Sequence, residues 1–249
     1  MIPLLHYILI LADDALIIAQ RLSEWAYKAP FLEEDIALSN ISLDTFGRAN
    51  MLLEYAAEIK GGNKDADELA FKRSEREYYN HLLCEQPNGH FGDTIARQFL
   101  FDSFYMLFLD KLSKSLDKQL AAIASKSIKE VTYHLRHSSR WIVRLGDGTD
   151  ESHEKIKNSI NKLWMFTNEF FMMSDIDREM HKQKIGVNRE ALRLPWEKNV
   201  NRVLTEAKLE MPTSMNMLSG GKEGVHTEHL GHLLSEMQYL QRALPDARW

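Results

Sequence analysis

Cysteine is almost missing from this chain: Cys84 stands alone among 249 residues. A single thiol excludes an internal disulfide and any cage of several cysteines around a metal, and it suits a reducing cytoplasm. Turn formers are scarce too. Twelve glycines and six prolines make up about 7% of the chain, where average usage is roughly 12%. So few breakers leave room for few loops and point to long helices. No basic excess exists either. A net charge of −5 and a pI near 6.1 give nucleic acid no electrostatic footprint. No uninterrupted apolar run reaches the roughly 18 residues of a membrane span. The first apolar stretch, YILILADDALII, is broken by Asp13 and Asp14 and lacks the basic lead and small-residue cleavage site of a secretory signal.

What is present is helical periodicity. Apolar residues recur at helical spacing over 3–27, 33–60, 92–115 and 117–145, and again over 66–85, 150–173, 174–184, 189–209 and 226–244. Gly61-Gly62-Asn63 and the Gln86–Gly89 turn break the pattern, and Gly146 and Gly148 supply C-cap chemistry before Thr149 or Asp150 opens the next helix. Residues 211–225 read as a loop. No run reads as a strand, and no solenoid repeat is visible. The expected fold is all-α: a four-helix bundle over about 3–145 with additional helices over about 150–244, in one domain spanning 1–249.

Each of the four long helices carries an acid in an apolar setting: Asp13 and Asp14, Asp44, Asp102, and Glu130 followed by His134. A lone buried acid costs several kcal/mol unless paired or bound to a cation. Di-iron bundles solve this with a Glu from each of two helices and a Glu-x-x-His pair from each of the other two. Here that pattern breaks. Val131 stands three residues before His134, Gly47 stands three after Asp44, and the literal Glu-x-x-His at Glu223–His226 begins in a glycine-rich loop. Arg48 and Lys126 stand four residues from Asp44 and Glu130, so each can pair with its acid on one helix face. The residues alone leave open a metal-free polar cluster, scattered unrelated acids and a bound metal. The missing ligands favour the first.

Weaker signals are more ambiguous. His226, His229 and His232 drift off one helix face and suit a helix start or a partner surface; His226, His229 and Trp249 are candidate partner-interface residues. Phe99, Phe101, Phe104, Tyr105 and Phe108 cover more than one face of their helix, which implies core packing plus a subunit interface. Ser138 follows His134 by one turn without any oxyanion loop, so a nucleophile there is discounted.

The blocks ADDALIIAQRLSEW, DIALSNISLDTFGRA, EQPNGHFGDTIARQFLFD, KEVTYHLRHSSRWIVRLGDGTD and GVHTEHLGHLLSEMQYLQRALPDARW, in order along nearly the whole chain, resemble the structural, non-catalytic subunit of bacterial phenylacetyl-CoA ring 1,2-epoxidase. The resemblance implies a ferritin-like fold and a cytoplasmic, multicomponent monooxygenase that uses oxygen and NADPH in aerobic phenylacetate breakdown. The implied partners are a homologous catalytic subunit with the di-iron centre, a reductase subunit, and phenylacetyl-CoA through the complex. It implies no cofactor and no catalytic residue in this chain. KEVTYHLRH then resembles a di-iron helix whose ligand glutamate has become valine. Asp13, Asp14, Asp44, Arg48, Asp102, Lys126, Glu130 and His134 would be its relic polar cluster. The competing readings are a self-sufficient di-iron oxidase and a helical adaptor unrelated to oxygen chemistry. Whether the isolated chain pairs with itself stays open.

Overall fold

A computed structural model describes residues 2–62, 65–213 and 216–245. Trp249, expected at a partner interface, lies outside the described residues. All regular structure among the described residues is helical, consistent with the ferritin-like class. Two compact units divide the chain: Met1–Gln86 with Gly220–Trp249, and Pro87–Ser219.

The first unit is built on a helix hairpin. Helix α1 (Pro3–Ser23) starts with proline in its first turn, where the missing N–H costs nothing, and is buried along almost its whole length. It packs along α2 (Leu32–Lys60), which opens with Glu33, Glu34 and Asp35 at its positive dipole end and stops at Gly61, whose φ of 65° only glycine adopts freely. Asp13 and Asp14 interrupt the apolar run of α1 as expected, yet by length and mean composition the helix could cross a membrane; 78% of its best window is buried. Core helices of globular proteins pass the same test.

Short α3 (Ala66–Phe71) follows, and here the expected helix over 66–85 fails. Beyond Phe71 the chain makes one 3-10 turn at Glu75–Glu77 and then runs irregularly to the next helix. Main-chain N–H groups that a helix would use internally go instead to side chains of α1, as described below. The unit is completed by α9 (Glu228–Met237) and α10 (Tyr239–Ala243).

The second unit holds a second hairpin, α4 (Phe91–Leu112) against α5 (Lys118–Gly146), with α6 (Asp150–Trp164), α7 (Asp175–Lys182) and α8 (Arg193–Glu206) following in sequence. Asp117 caps α5 by accepting from the Leu120 amide at 2.9 Å, and Thr149 caps α6 by accepting from Ser152. Neither Gly146 nor Gly148 takes the left-handed conformation expected of a C-cap. Gly146 is instead a close-approach position, where a Cβ would collide with the Ala207 backbone. All five α4 aromatics named above are at most 1% exposed. Phe101 and Phe104 meet the ring of Phe170, and Trp196 donates to the Leu100 carbonyl at 3.2 Å, so these rings form the core of their own unit rather than a subunit interface.

Candidate functional site

Consecutive aspartates on a helix project about 100° apart, yet Asp13 and Asp14 are 0% and 1% exposed in the middle of α1. Two adjacent buried carboxylates need several donors each, and the irregular segment from Arg73 to Glu85 supplies them. Arg73 grips Asp13 with both terminal nitrogens, Nη1 at 2.9 Å from Oδ2 and Nη2 on Oδ1, and the Tyr79 amide donates to Oδ2 at 2.9 Å. The bidentate fork suits a planar carboxylate. Burial pushes the Asp13 carboxyl above its ordinary value, against the pull of Arg73 and the Tyr79 amide. Asp14 accepts from the His81 amide at 2.7 Å, from His81 Nδ1 at 2.7 Å and from the Cys84 thiol at 3.3 Å.

One turn further along the segment, Glu85 forms the next layer. Its carboxylate accepts from the Thr227 amide at 2.6 Å and hydroxyl at 2.7 Å, from Asn80 Nδ2 at 3.0 Å and from His226 Nδ1 at 2.8 Å. His226 Nε2 sits 2.8 Å from the Tyr78 carbonyl, which can only accept. Both ring nitrogens thus face oxygen acceptors, an arrangement that favours the imidazolium. Burial pulls its pKa down, but the Glu85 charge and hydrogen bond, with the Tyr78 carbonyl, outweigh that and hold it above the ordinary value. Gln238 extends the layer by donating to the Tyr78 hydroxyl at 2.8 Å and the Arg73 carbonyl at 2.9 Å. Burial among these groups pushes the Tyr78 phenol up to about 12. Arg21 closes the other side, donating to the carbonyls of Glu85 and His229.

This network changes the reading of several residues. His226, expected at a partner surface, has a side chain 0% exposed and tied internally to Glu85. His229 is half-buried and contributes its carbonyl to Arg21, while His232 is exposed. The eight expected cluster residues fall in both units: Asp13, Asp14, Asp44 and Arg48 in the first, Asp102, Lys126, Glu130 and His134 in the second. On α2, Arg48 is buried and Asp44 half-buried. On α5, Val131 and His134 are buried, Glu130 half-buried and Lys126 exposed, and the discounted Ser138 donates to Asp102 at 3.2 Å. The cation that answers Asp13 is Arg73, and the ring that answers Asp14 is His81; sequence reasoning named neither. The density of Arg, His, Cys and Glu over 73–85 was the available signal.

Asp14, His81 and Cys84 also bring one carboxylate oxygen, one imidazole nitrogen and one thiol within 4.8 Å of one another, all buried. A lone cysteine cannot build a cage, yet here it joins a mixed donor set of the kind that holds zinc. A metal there would displace hydrogen bonds that already satisfy Asp14. The di-iron pair fits less well. The buried aliphatic Val131 fills the α5 ligand position, Gly47 leaves the α2 position without a side chain, and the literal pair is pulled apart, with Glu223 exposed and the His226 ring held by Glu85.

The second unit also holds a cavity of about 660 Å³, lined by Met106, Leu107, Ile185 and Val187 together with Lys111, Lys114 and Lys184. Asp110 lies 3.2 Å from Lys111 and 3.4 Å from Lys114, so much of that positive charge is already matched.

Across 243 residues, covering 98% of each chain, the sequence is 50% identical to an Escherichia coli (strain K12) protein whose name makes it one of the subunits of 1,2-phenylacetyl-CoA epoxidase. Residues 2–249 match the family described as "Phenylacetic acid catabolic protein". With the match running along the whole chain, through the Asp13–Asp14 helix and the segment that answers it, this protein belongs to the phenylacetic acid catabolic protein family.

Proposed function

We propose that this chain is the structural, non-catalytic subunit of a phenylacetyl-CoA 1,2-epoxidase, acting in the cytoplasm in aerobic phenylacetate breakdown. The observation that carries the reading is the half-identical relative matched end to end, whose name makes it a subunit of that enzyme. In this reading the chain is one ferritin-like domain over residues 1–249. It holds no metal and supports a homologous catalytic subunit, which carries the di-iron pair. A reductase subunit feeds that pair from NADPH, and the iron pair supplies oxygen activation.

The donor set supports a non-catalytic role. With Val131 and Gly47 at ligand positions, no complete di-iron set can be assembled from the Glu-x-x-His pattern. The acids on α1 serve structure. Asp13 and Asp14 anchor the 73–85 segment, and Glu85 and His226 anchor the start of α9 to that segment. Charge satisfaction is thus spent on fixing the shape of the first unit.

Co-expression with the catalytic subunit tests the reading. It predicts a heteromeric complex surviving size-exclusion chromatography, with phenylacetyl-CoA turnover by the catalytic subunit and reductase rising when this chain is added. Turnover at the same rate without this chain would sink the supporting role.

A further inference from the structure

We infer that the cavity of the second unit is a binding site for a small amphipathic anion, an alkyl chain ending in a carboxylate or phosphate. The inference goes beyond the subunit reading and does not depend on it.

The walls set the body of the ligand. Met106 and Leu107 come from α4, and Ile185, Val187 and Leu192 from the stretch between α7 and α8. A volume of about 660 Å³ lies within the range of about 300–1,000 Å³ that takes a small organic ligand. No Phe, Tyr or Trp lines the cavity among the described residues, so none of these rings stacks on a ligand there. Thioether and branched aliphatic walls fit around a flexible chain.

Charge sets the head. Lys111, Lys114 and Lys184 share the lining with a single acid, Asp110. Asp110 lies within ion-pair distance of Lys111 and Lys114 but carries only one charge to set against them. Three lysines less one aspartate leave two positive charges on the lining, in a chain whose net charge is −5. His181 also lines the cavity and adds no negative charge. A concave apolar site with a local excess of one sign concentrates ligands of the other.

The wall that carries Lys184 is braced from behind. The Ile185 and Gly186 amides both donate to the Met180 carbonyl at 2.9 Å. The Leu116 amide donates to the Lys184 carbonyl at 3.0 Å, and the Ser115 hydroxyl to the Ile185 carbonyl at 2.8 Å. Just beyond, Arg189 donates to Asp177 at 2.8 Å with both side chains 0% exposed, and its guanidinium lies 4.8 Å from the centre of the Phe108 ring. Held in this way, Lys184 adopts a φ of 60°. That conformation is uncommon for a residue with a Cβ, and such outliers cluster at ligand clamps. A wall already fixed costs little further ordering when a ligand enters.

Calorimetric titration of the full-length chain tests the inference, with decanoate, decyl phosphate and, as the opposite-charge control, decyltrimethylammonium, all below their micelle concentrations. One anion should bind per chain, at least about tenfold more tightly than the cation, and the tighter of the two anions identifies the head. Lys114, Lys184 and Ala191 line the cavity from exposed positions, so changing them spares the core, and melting temperatures check this. Lys114→Glu with Lys184→Glu should weaken the anion by about tenfold or more. Ala191→Trp, which fills the cavity, should abolish binding. Lys198→Glu, at an exposed lysine of α8 outside the lining, should bind as wild type. Absence of binding, equal binding of the cation, anion binding that survives Ala191→Trp, or an equal loss in Lys198→Glu overturns the inference. So does binding by the free chain that disappears on assembly with the catalytic subunit, because a partner's surface then fills the cavity.

Discussion

Glu85 and His226 form a buried ion pair, Oε2 to Nδ1 at 2.8 Å, with both side chains 0% exposed. They lie 141 residues apart in the chain and in the same compact unit. Removing one member of such a pair strands the other charge. His226→Ala should therefore destabilise the protein by about 3 kcal/mol, read by urea unfolding. A change below about 0.5 kcal/mol, the size of a surface substitution, would show that Glu85 is balanced without it.

The same pair sets a pH dependence. His226 is held above its ordinary pKa in the fold, so the folded protein binds this proton more tightly than the unfolded chain does. Its contribution is complete below about pH 6.5, the unfolded value, and is lost as pH rises through the higher folded value. Wild-type stability minus that of His226→Gln should shrink as pH is raised from about 6.5 into the alkaline range. A difference that stays constant over that range contradicts the imidazolium assignment.

Asp13 and Arg73 make a second buried pair, with side chains 0% and 8% exposed. Asp13→Asn should cost about 3–5 kcal/mol by leaving the guanidinium without its counter-charge. Asp13→Leu combined with Arg73→Met should cost less than the sum of the two single changes, since no charge is then stranded. Additive losses in that double-mutant cycle would mean that the two side chains do not couple.

How much of this was legible in the sequence depends on distance along the chain. The long helices follow from apolar spacing, and the Thr149 cap follows from its position after two glycines. Asp13 and Asp14 stand out as acids in an apolar run. Their partners do not, because Arg73 is 60 residues from Asp13 and His81 is 67 from Asp14. Helical propensity over 66–85 is genuine, but the α1 carboxylates compete for the Tyr79 and His81 amides and the helix ends early. Exposure of Leu32, Ile36 and Leu43 on α2 was equally hidden, since a helical pattern does not say which apolar residues find a cover.

Asp14, His81 and Cys84 already satisfy one another, so chelation should leave the melting temperature unchanged, and the purified protein should carry far less than one zinc per chain. Cys84→Ala should cost about 1 kcal/mol, the scale of one weak buried hydrogen bond plus a small packing loss. Stoichiometric zinc whose removal unfolds the first unit contradicts this.

Formation of epoxide from phenylacetyl-CoA, assayed with each subunit omitted in turn, tests the central claim most directly. The account predicts no product from this chain with the reductase alone and full product when the catalytic subunit is restored. Sustained turnover by this chain and the reductase without that subunit would contradict it.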